Sequence, residues 1–597
     1  MMSSKKDPTV IKHRRSIIAV AASLLLLGSA AFIYSQQPAQ HPSQPNKDTA
    51  SCAAPDPSLL PKPETFADAD LIRVGISSNS MQDYEYPHAA LSANKPFRVV
   101  DHSNGKALFQ GAAWQQVRFS VSKSGFYARF PGHSKASGPY KGPLRVIPTT
   151  PDGRVRVTSI TRHGKIPSYK GMIEITRGYS SPKKLSVINI LSTQEYLKAV
   201  VPNELPIRFG YEAVKAQSIA ARNYAIRPRE KFWPQFDICD SQYCQVYFGS
   251  QTENRQTNQA LKETQGLLAL YQGEPILALY SSAHGGHSES YTNAFSEPRT
   301  NIFPAEDIPY LRGFADIPQI ASKYGDLSTE SAARKFWTSK SVKSYDVLSN
   351  RYRWQKRWSV WTLSSTLNKT LVKLSKEKNT KDFVIPAFKP GQSVGRVKRI
   401  EVTKRGVSGK IMEMRIQGTG GTWTVKKEFV IRKALTHGNR MLPSANVVFS
   451  HLSDKQGKLV TLVADGGGFG HGVGMSQYGA SYLSKHGKPF SDIIQHYYKG
   501  VAIGSIPLQV GKGHHQKPVK TTFYGKTDKA ILKVETEKRP FPVLAELNGQ
   551  LYSMDDPTAY PVPLRKNQLN TLVLYPDPCE SSRVIKVWAE LFPSKAN

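Results

Sequence analysis

The sequence predicts an α+β fold, in which strands and helices occupy separate stretches of the chain. Short segments of alternating polarity, such as RVRVTSI and GMIEITRG, recur from residue 71 to about 190 and are separated by Gly, Pro and Ser. A run without Gly or Pro follows at 211–226. We therefore expect the folded part to begin with sheets and to pack helices beside them.

Two segments carry helical signals. YEAVKAQSIAARNYAI, residues 211–226, has alanines suited to close packing against a neighbour, and Pro228 follows its end. SDIIQHYY, residues 491–498, has Ser491 as its predicted N-cap, an apolar face of Ile and Tyr, and Gly500 after its end. Both segments are predicted helices of the main domain.

Further alternating segments define two more regions. Residues 317–460 mix polar helical pieces with the predicted strands VKRIEVTKR and GTWTVKKEFVI, and we expect them to form an inserted subdomain. Residues 511–597 hold AILKVETE and LNTLVLYP between loops that carry Pro and Gly. They are predicted to form a small β-rich C-terminal region after a main domain at 70–510.

The N-terminus predicts export. Residues 1–15 form a basic tail, and residues 16–34 (SIIAVAASLLLLGSAAFIY) carry no charge and are about long enough to cross a ~30 Å hydrocarbon layer. Because the basic flank comes first, we expect a single-pass membrane anchor, a flexible linker at 35–68 and a body outside the cytoplasm. The small residues at 29–31 leave a cleaved signal peptide and a secreted protein as the alternative.

The charge balance indicates a polyanionic partner. Lys and Arg number 81 against 45 Asp and Glu, which gives a formal net charge of +36. Nucleic acid, anionic lipid and anionic cell-wall polymer would each be attracted to such a chain. Export across the membrane removes nucleic acid from the predicted partners.

The 4 cysteines are too few for a disulfide-built scaffold of this length. Cys239 and Cys244 are close enough to form a disulfide or to share a metal ion, and free thiols are the third interpretation. With these cysteines, His284 and His287 in an HxxH spacing make zinc conceivable. Neither spacing is a strong zinc signature, so we predict no cofactor and keep zinc as the alternative.

Two motifs rich in His and Gly are candidates for binding a ligand. Glycines crowd around His471 in GGGFGHGVG, which has neither the Lys-Ser/Thr end of a phosphate loop nor the register of GxGxxG. Because glycine permits close approach to the backbone, we expect a ligand there, with tight turns as the alternative. The candidate binding residues are His284, Gly285, Gly286, His287, Gly470, His471, Gly472, Gly474, Ser476 and Gln477.

Glu204 is the candidate acid. It lies between Pro202 and Pro206, which predicts that its side chain projects from a stiff loop before the helix at 211–226. Apolar neighbours would raise its pKa toward the value that a general acid needs. On composition alone a solvated surface carboxylate is the simpler interpretation, and the residues by themselves leave both open.

The order of these motifs resembles the SpoIID/LytB family of bacterial cell-wall proteins, which includes stage II sporulation protein D and amidase enhancers. The resemblance extends from about 70 to 510. It is carried by YKGMIEITR (169–177), EYLKAVVPNELP (195–206), EAVKAQSIAARNYAI (212–226), CQVYFG (244–249), SSAHGGHSES (281–290), PYLRG (309–313), MLPSANVVF (441–449), GFGHGVGMSQYGA (468–480) and HYYKG (496–500).

The resemblance implies a SpoIID-like mixed domain with the activity of a peptidoglycan lytic transglycosylase, in which Glu204 is the general acid and base. The substrate would be glycan strands without stem peptides, cut between N-acetylmuramic acid (MurNAc) and N-acetylglucosamine (GlcNAc) to leave 1,6-anhydro ends. Arg222, His284 and His287 are expected to orient this substrate or to hold the cleft.

The same resemblance implies two alternatives. Some relatives enhance an N-acetylmuramoyl-L-alanine amidase, so a non-catalytic glycan-binding enhancer with an amidase as its partner is the second functional hypothesis. Other relatives hold zinc through His and Cys near the CQVY block. Cys239 and Cys244 match that pattern in part, but the expected histidine just upstream is missing.

Overall fold

The computed structural model describes residues 71–79, 81, 83–227, 234–512, 517–537, 543–554, 559–577 and 583–595. Strands outnumber helices there and the elements are mixed, so the α+β class is confirmed. The predicted basic tail, membrane anchor and linker at 1–68 lie outside these residues and stay predictions. Among the helices of the described ranges, none combines the length and apolar character that crossing a bilayer requires.

The N-terminal part of the described chain consists of two sheets. Their strands are β1 (Leu71–Ile76), β2 (His88–Ala93), β3 (Phe97–Asp101), β4 (Lys106–Gly111), β5 (Gln116–Ser122), β6 (Gly125–Arg129), β7 (Ser137–Tyr140), β8 (Leu144–Pro148), β9 (Arg154–Val157), β10 (Ser168–Lys170), β11 (Met172–Arg177), β12 (Leu185–Ser192) and β13 (Ile238–Cys239). One sheet has the order β13-β1-β12-β11-β8-β3-β4, and the other has the order β10-β9-β2-β5-β6-β7. In β5, buried Val117, Phe119 and Val121 alternate with exposed polar residues, so one face joins the core and the other faces solvent.

Helices and short strands follow. They are α1 (Thr193–Glu204), α2 (Tyr211–Ile226), α3 (Arg255–Lys262), α4 (Tyr291–Ala294), β14 (Leu267–Tyr271), β15 (Glu274–Pro275) and β16 (Tyr280–Ser281). The structure gives α2 the range that the sequence predicts, and nearly all its alanines are buried. Asn223 of α2 donates to the Ala269 carbonyl at 2.7 Å, which fixes the helix against β14.

The predicted insert contains a core of its own. Its elements are α5 (Pro318–Tyr324), α6 (Glu330–Trp337), β17 (Trp354–Ser359), α7 (Val360–Leu374), β18 (Val384–Ile385), β19 (Val397–Arg405), β20 (Ile411–Gly418), β21 (Gly421–Lys426), α8 (Glu428–Ala434), β22 (Val447–Ser453) and β23 (Leu459–Gly466). VKRIEVTKR forms β19, as predicted. The prediction of one strand for GTWTVKKEFVI is wrong, because Lys427 takes a positive φ of 69° and the chain continues as α8.

The C-terminal elements return to the main part of the fold. They are β24 (Met475–Ser476), α9 (Gln477–Lys485), α10 (Phe490–Tyr497), β25 (Ala502–Ser505), β26 (Leu508–Val510), β27 (Val519–Tyr524), β28 (Lys529–Thr536), β29 (Val543–Leu547), β30 (Gln550–Met554), β31 (Tyr560–Pro563), β32 (Leu569–Leu574) and β33 (Ile585–Phe592). The predicted N-cap of α10, Ser491, is wrong, because the helix begins at Phe490 and Pro489 takes the N-cap position two residues earlier.

The strands after residue 510 do not all stay apart from the main domain. β33 pairs with both β25 and β28, in a sheet of order β15-β14-β25-β33-β28-β31. A second sheet, β27-β32-β29-β30, is built from the C-terminal strands alone. The C-terminal region is rich in strands, and three of them (β33, β28 and β31) extend the sheet that contains β14, against which α2 packs.

Candidate active site around Glu204

Glu204 is the last residue of α1. The Ser192 hydroxyl accepts the Glu195 N–H at 3.3 Å at the start of this helix, and the Leu205 N–H bonds the Val201 carbonyl at 2.9 Å at its end. The prediction that Glu204 lies in a stiff loop is wrong, because the helix continues through Pro202. Glu204 is therefore held by a helix whose buried face is fixed in the core.

Two hydrogen bonds from distant segments reach Glu204. Its Oε1 accepts the Val246 N–H at 2.8 Å, and its backbone carbonyl accepts the Gln477 side-chain amide at 3.0 Å. Val246 belongs to the CQVYFG block. Gln477 belongs to GFGHGVGMSQYGA (468–480), the second of two His–Gly motifs, of which SSAHGGHSES (281–290) is the first. The structure thus brings three predicted motifs together at Glu204.

The surroundings of Glu204 favour its protonated form. Burial raises the pKa of the Glu204 carboxyl, while hydrogen bonds from the Val246 N–H and the Gln477 side chain act in the opposite direction and leave the pKa raised. The C-terminal end of a helix carries partial negative charge, which also disfavours a carboxylate there. A group of this kind can hold a proton nearer to neutral pH than an exposed glutamate.

Tyr280 and Gln245 form a polar wall beside the acid that the sequence analysis missed. Gln245 is fully buried, accepts the Tyr196 hydroxyl at 3.2 Å and donates to the Tyr280 hydroxyl at 3.0 Å. Burial and then the charge of Glu204 raise the pKa of Tyr280 well above its ordinary value. The phenol therefore stays neutral and can only donate or accept hydrogen bonds.

Cys239 and Cys244 form a disulfide, with 5.5 Å between their Cα atoms. Of the three interpretations of this pair, the disulfide is the one that the structure shows. Its sulfurs are not thiolates, which are the form of cysteine that binds zinc. The described residues also contain no group of three or more His, Cys, Asp and Glu arranged for a metal ion. These residues do not fit a zinc site, and the disulfide instead closes the turn before Val246.

The two His–Gly motifs lie side by side. Tyr280 and Ser281 of β16 pair in parallel with Met475 and Ser476 of β24. Ala283 exchanges backbone hydrogen bonds with Phe469 at 2.7 and 3.2 Å. The two motifs are therefore neighbours in the fold, although they are almost 200 positions apart in the chain.

The glycines of the second motif make room for protein backbone. A Cβ on Gly474 would lie 2.0 Å from the Leu279 carbonyl oxygen, and one on Gly468 would lie 2.8 Å from the Ala283 carbonyl oxygen. A Cβ on Gly470 would lie 2.7 Å from Ser281 Cβ. The expectation that a ligand fills the space beside Gly470 and Gly474 is wrong, because the neighbouring motif already occupies it. Gly472 is looser, and its missing Cβ would lie 3.5 Å from Lys410 Nζ.

The three predicted histidines are neutral. Burial lowers the pKa of His471 to about 3, and its Nδ1 accepts the Val473 N–H at 3.1 Å. Burial also lowers the pKa of His284 and His287, and His287 Nδ1 is bonded to the Ser288 carbonyl at 2.7 Å. None of these imidazoles can supply positive charge to a ligand at neutral pH.

Four predicted binding residues hold the fold. The buried Arg222 guanidinium donates to the Leu267 carbonyl at 3.0 Å and to Gln194 at 3.3 Å. Gly285 and Gly286 turn the chain with φ of 77° and 104°. The buried Ser476 hydroxyl accepts the Gly479 N–H at 3.1 Å and caps α9. These contacts place Arg222 and Ser476 in structural roles, and substrate contact by either stays a prediction.

Asp346 of the insert joins both motifs, and the sequence analysis missed it. One carboxylate oxygen accepts the backbone N–H groups of His284 at 2.5 Å and Gly285 at 2.7 Å, and the other accepts the Ser476 hydroxyl. Arg353, also in the insert, donates to the Gly285 carbonyl at 2.8 Å. Local sequence around Asp346 has no motif that would have indicated this role.

Two regions of this chain match models of known protein families. Residues 181–271 match the family model described as Stage II sporulation protein, and residues 297–474 match one described as a domain of unknown function (DUF8618). The first region contains Glu204 and Val246, whereas the second contains Asp346 and His471. The site is therefore built from both matched regions.

Relatives are similar over about half of the chain. The amidase enhancer of Bacillus subtilis (strain 168) is 28% identical over 315 residues, which are 52% of this chain and 40% of the relative. Stage II sporulation protein D of Bacillus amyloliquefaciens is 29% identical over 349 residues, which are 55% of this chain and 78% of the relative. The Bacillus subtilis (strain 168) protein of that name is 27% identical over 349 residues, 55% of this chain and 78% of the relative.

Fold and site define a mixed α+β domain in which a helix-terminal carboxylic acid lies beside two interlocked His–Gly segments. The resemblance of this chain to the SpoIID/LytB family, predicted from the order of its motifs, is confirmed by the match at 181–271 and by these relatives.

Replacing Gly474 by Ala should destabilise the protein strongly. Left-handed backbone costs a residue with Cβ about 1–2 kcal/mol, and overpacking adds about 1–3 kcal/mol. Gly487→Ala is the matched control, because Gly487 has a φ of 76° with no atom within 4 Å of its missing Cβ. Thermal melting should show a clearly larger loss for Gly474→Ala. Equal losses for the two variants would contradict the close approach of the motifs.

Asp346→Asn should loosen the first His–Gly motif. The amide has the size of the carboxylate but loses its charge and an acceptor, which leaves buried donors unsatisfied at a cost of about 1–3 kcal/mol. Hydrogen exchange of a peptide covering 280–290 should become faster. Asp382→Asn, an exposed substitution in the same insert, serves as the control. Unchanged exchange in Asp346→Asn would mean that Asp346 does not hold this segment.

Proposed function

We propose that the chain is an extracytoplasmic peptidoglycan lytic transglycosylase that cuts the bond between MurNAc and GlcNAc in glycan strands, with peptide-free strands as the preferred substrate. The observation that carries the proposal is the Glu204 carboxyl, held by the Val246 N–H with its pKa raised. No second carboxyl group of the described residues contributes to that pKa shift. A lone acid suits an intramolecular reaction better than a hydrolase, which uses two carboxylates.

Glu204 has two successive roles in this reaction. Protonated, it donates to the bridging oxygen as positive charge develops at C1 of the MurNAc ring, and the C1–O bond breaks. The resulting carboxylate then takes the proton of the C6 hydroxyl, whose oxygen bonds C1 and gives the 1,6-anhydro end. The Val246 N–H stabilises the carboxylate between the two steps by a charge-assisted hydrogen bond. Glu204 ends protonated, ready for the next cycle.

The disulfide and the relatives support a role in the cell wall. Disulfides persist in oxidising compartments outside the cytoplasm, which agrees with the exported body that the N-terminus predicts. Two relatives are named for sporulation and one is named an amidase enhancer. The membrane anchor at 16–34 is part of this proposal, with secretion after signal cleavage as its alternative.

The second candidate is a non-catalytic glycan-binding enhancer of an N-acetylmuramoyl-L-alanine amidase. The relative named Amidase enhancer favours it. The two functions are separated by incubating the protein with peptide-free glycan strands and reading the products by mass spectrometry. New anhydro ends identify the transglycosylase, whereas activity that appears only with an added amidase identifies the enhancer.

Glu204→Gln should abolish the release of anhydro products. The amide keeps the size of the side chain but cannot donate a proton to the leaving oxygen, so we expect a loss of about 10²–10⁴-fold. Glu195→Gln is the matched control, because Glu195 lies on the same helix and forms ion pairs with Lys170 and Lys198. Release of anhydro ends at the parent rate by Glu204→Gln would refute the mechanism.

Cleavage should decline as pH rises through the raised pKa of Glu204, because only the protonated acid donates. The Gln477 side-chain amide, which donates to the Glu204 backbone carbonyl at 3.0 Å, also lowers the pKa of the carboxyl, so Gln477→Met should raise the pKa further and move the alkaline limb of the pH–rate profile to higher pH. Gln495→Met, which removes an amide bonded to the Val501 carbonyl at 3.1 Å, should leave the limb in place. A limb that stays fixed or moves down in Gln477→Met would show that another group controls the rate.

A further inference from the structure

We propose that the solvent-facing side of the sheet β10-β9-β2-β5-β6-β7 is a second binding site for an anionic glycan strand, centred on Trp114. Apart from Gln251, the residues that line the site lie outside the region that matches the sporulation family model, residues 181–271. Its substrate class rests on the proposed function, but its residues and geometry are independent of Glu204.

A cavity of about 250 Å³ opens at one end of this face. Trp114, Arg154, Arg156, Lys165, Ser168 and Gln251 line it. The Arg156 guanidinium lies 5.4 Å from the centre of the Trp114 ring, and 58% of Trp114 is exposed. Aromatic, cationic and amide groups thus surround one opening, and no acidic residue contributes to its lining.

Trp114 is held outward in an unfavourable conformation. Its φ of 69° lies in the left-handed region, which is rare for a bulky residue. Where such a conformation is retained, other interactions offset its energetic cost. The backbone N–H donates to the Ala93 carbonyl at 2.6 Å, but the exposed ring gains little from the core. Folding alone therefore does not account for a tryptophan at this turn, whereas stacking against a ligand does.

The face beyond the cavity is basic. Residues of β9 alternate, so Val155 and Val157 are buried while Arg154 and Arg156 share the outer side. On the same side, Arg118 of β5 is directly opposite Arg129 of β6. Like charges at opposite positions destabilise a sheet. Among the described residues, none of these four arginines forms an ion pair, so their positive charge is available to an anionic partner.

The chemistry of a peptide-free glycan strand matches this face. Removal of the stem peptide leaves a lactyl carboxylate on each MurNAc, and arginine binds carboxylates through paired N–H donors. The flat apolar side of a pyranose ring can lie against the Trp114 indole. Ser168 and Gln251 add polar groups for hydroxyl and acetamido substituents. A repeating anionic polymer would also extend over Arg118 and Arg129, which a small ligand would not reach.

The cavity is connected to the candidate active site by one short segment. Gln251 lies in the turn Ser250–Thr252, and the Thr252 hydroxyl accepts the Asn203 side-chain amide at 2.9 Å. Asn203 directly precedes Glu204, and Val246 lies five positions before Gln251 in the chain. The turn that lines the cavity is therefore hydrogen-bonded to the residue before Glu204 and follows Val246 closely in the chain, as expected of a surface that holds the strand being cut.

Binding should be measured on the full chain carrying Glu204→Gln, with fluorescently labelled peptide-free strands that the variant cannot cleave. Adding Trp114→Ala, or Arg154→Ala with Arg156→Ala, should weaken binding about tenfold. Lys165→Ala tests the same cavity at an exposed loop position and avoids the unusual backbone of Trp114. Unchanged affinity in all three variants would overturn the proposal.

Trp361→Ala is the matched control. Trp361 is 68% exposed on α7, and the Arg396 guanidinium lies 5.0 Å from its ring centre. Its replacement should leave affinity unchanged. A loss equal to that of Trp114→Ala would mean that strands adsorb to any exposed aromatic ring, and it would overturn the proposal.

Competitors identify the ligand class. Unlabelled peptide-free strands should displace the probe far better than neutral GlcNAc oligomers, which lack carboxylates, or polyphosphate, which lacks sugar rings. Equal displacement by GlcNAc oligomers would refute the role of the arginines, and equal displacement by polyphosphate would reduce the face to a nonspecific anion patch.

The outcome is separable from that of the proposed function. If the protein with Glu204 intact makes no anhydro ends but binding depends on Trp114, the second binding site is supported and the transglycosylase activity is refuted. If anhydro ends form and binding does not depend on Trp114, the transglycosylase activity is supported and the second binding site is refuted.

Discussion

The close approach of two backbone segments, 279–284 and 468–476, determines the geometry of the site. Carbonyl oxygens of the first segment occupy the space that side chains at Gly468 and Gly474 would need. This contact fixes where α9 begins, and α9 starts with Gln477, whose amide reaches the Glu204 carbonyl. The glycine-rich motif, which resembles a ligand-binding loop in sequence, thus packs closely against a distant segment of the chain.

Glu204 illustrates how opposing effects can prepare a single carboxyl for two roles. Burial and the helix end favour the neutral acid, whereas the Val246 N–H and Gln477 favour the anion. A group that gives and then regains a proton needs groups that support each of its two states. The disulfide Cys239–Cys244 restrains the turn before Val246, so the donor on which the anion depends is covalently confined.

Local signals in the sequence predicted those parts of the fold that local physics determines. The alanine-rich α2 and the alternating β28 follow from patterns within single segments. The end of α1 did not, because tertiary packing carries the helix through Pro202 despite the local preference. Likewise the partners of the glycines could not be predicted, because only long-range pairing decides whether a ligand or a backbone fills the space.

The insert shows why part of the site was invisible to sequence reasoning. Asp346 acts through donors more than 60 positions away, so no spacing rule indicates it. Burial raises the pKa of both Asp346 and its neighbour Asp316, and the charge of Asp346 raises that of Asp316 further. Backbone N–H groups and Ser476 oppose the shift at Asp346. Asp346 therefore holds the first His–Gly motif through backbone hydrogen bonds from an insert that has its own core.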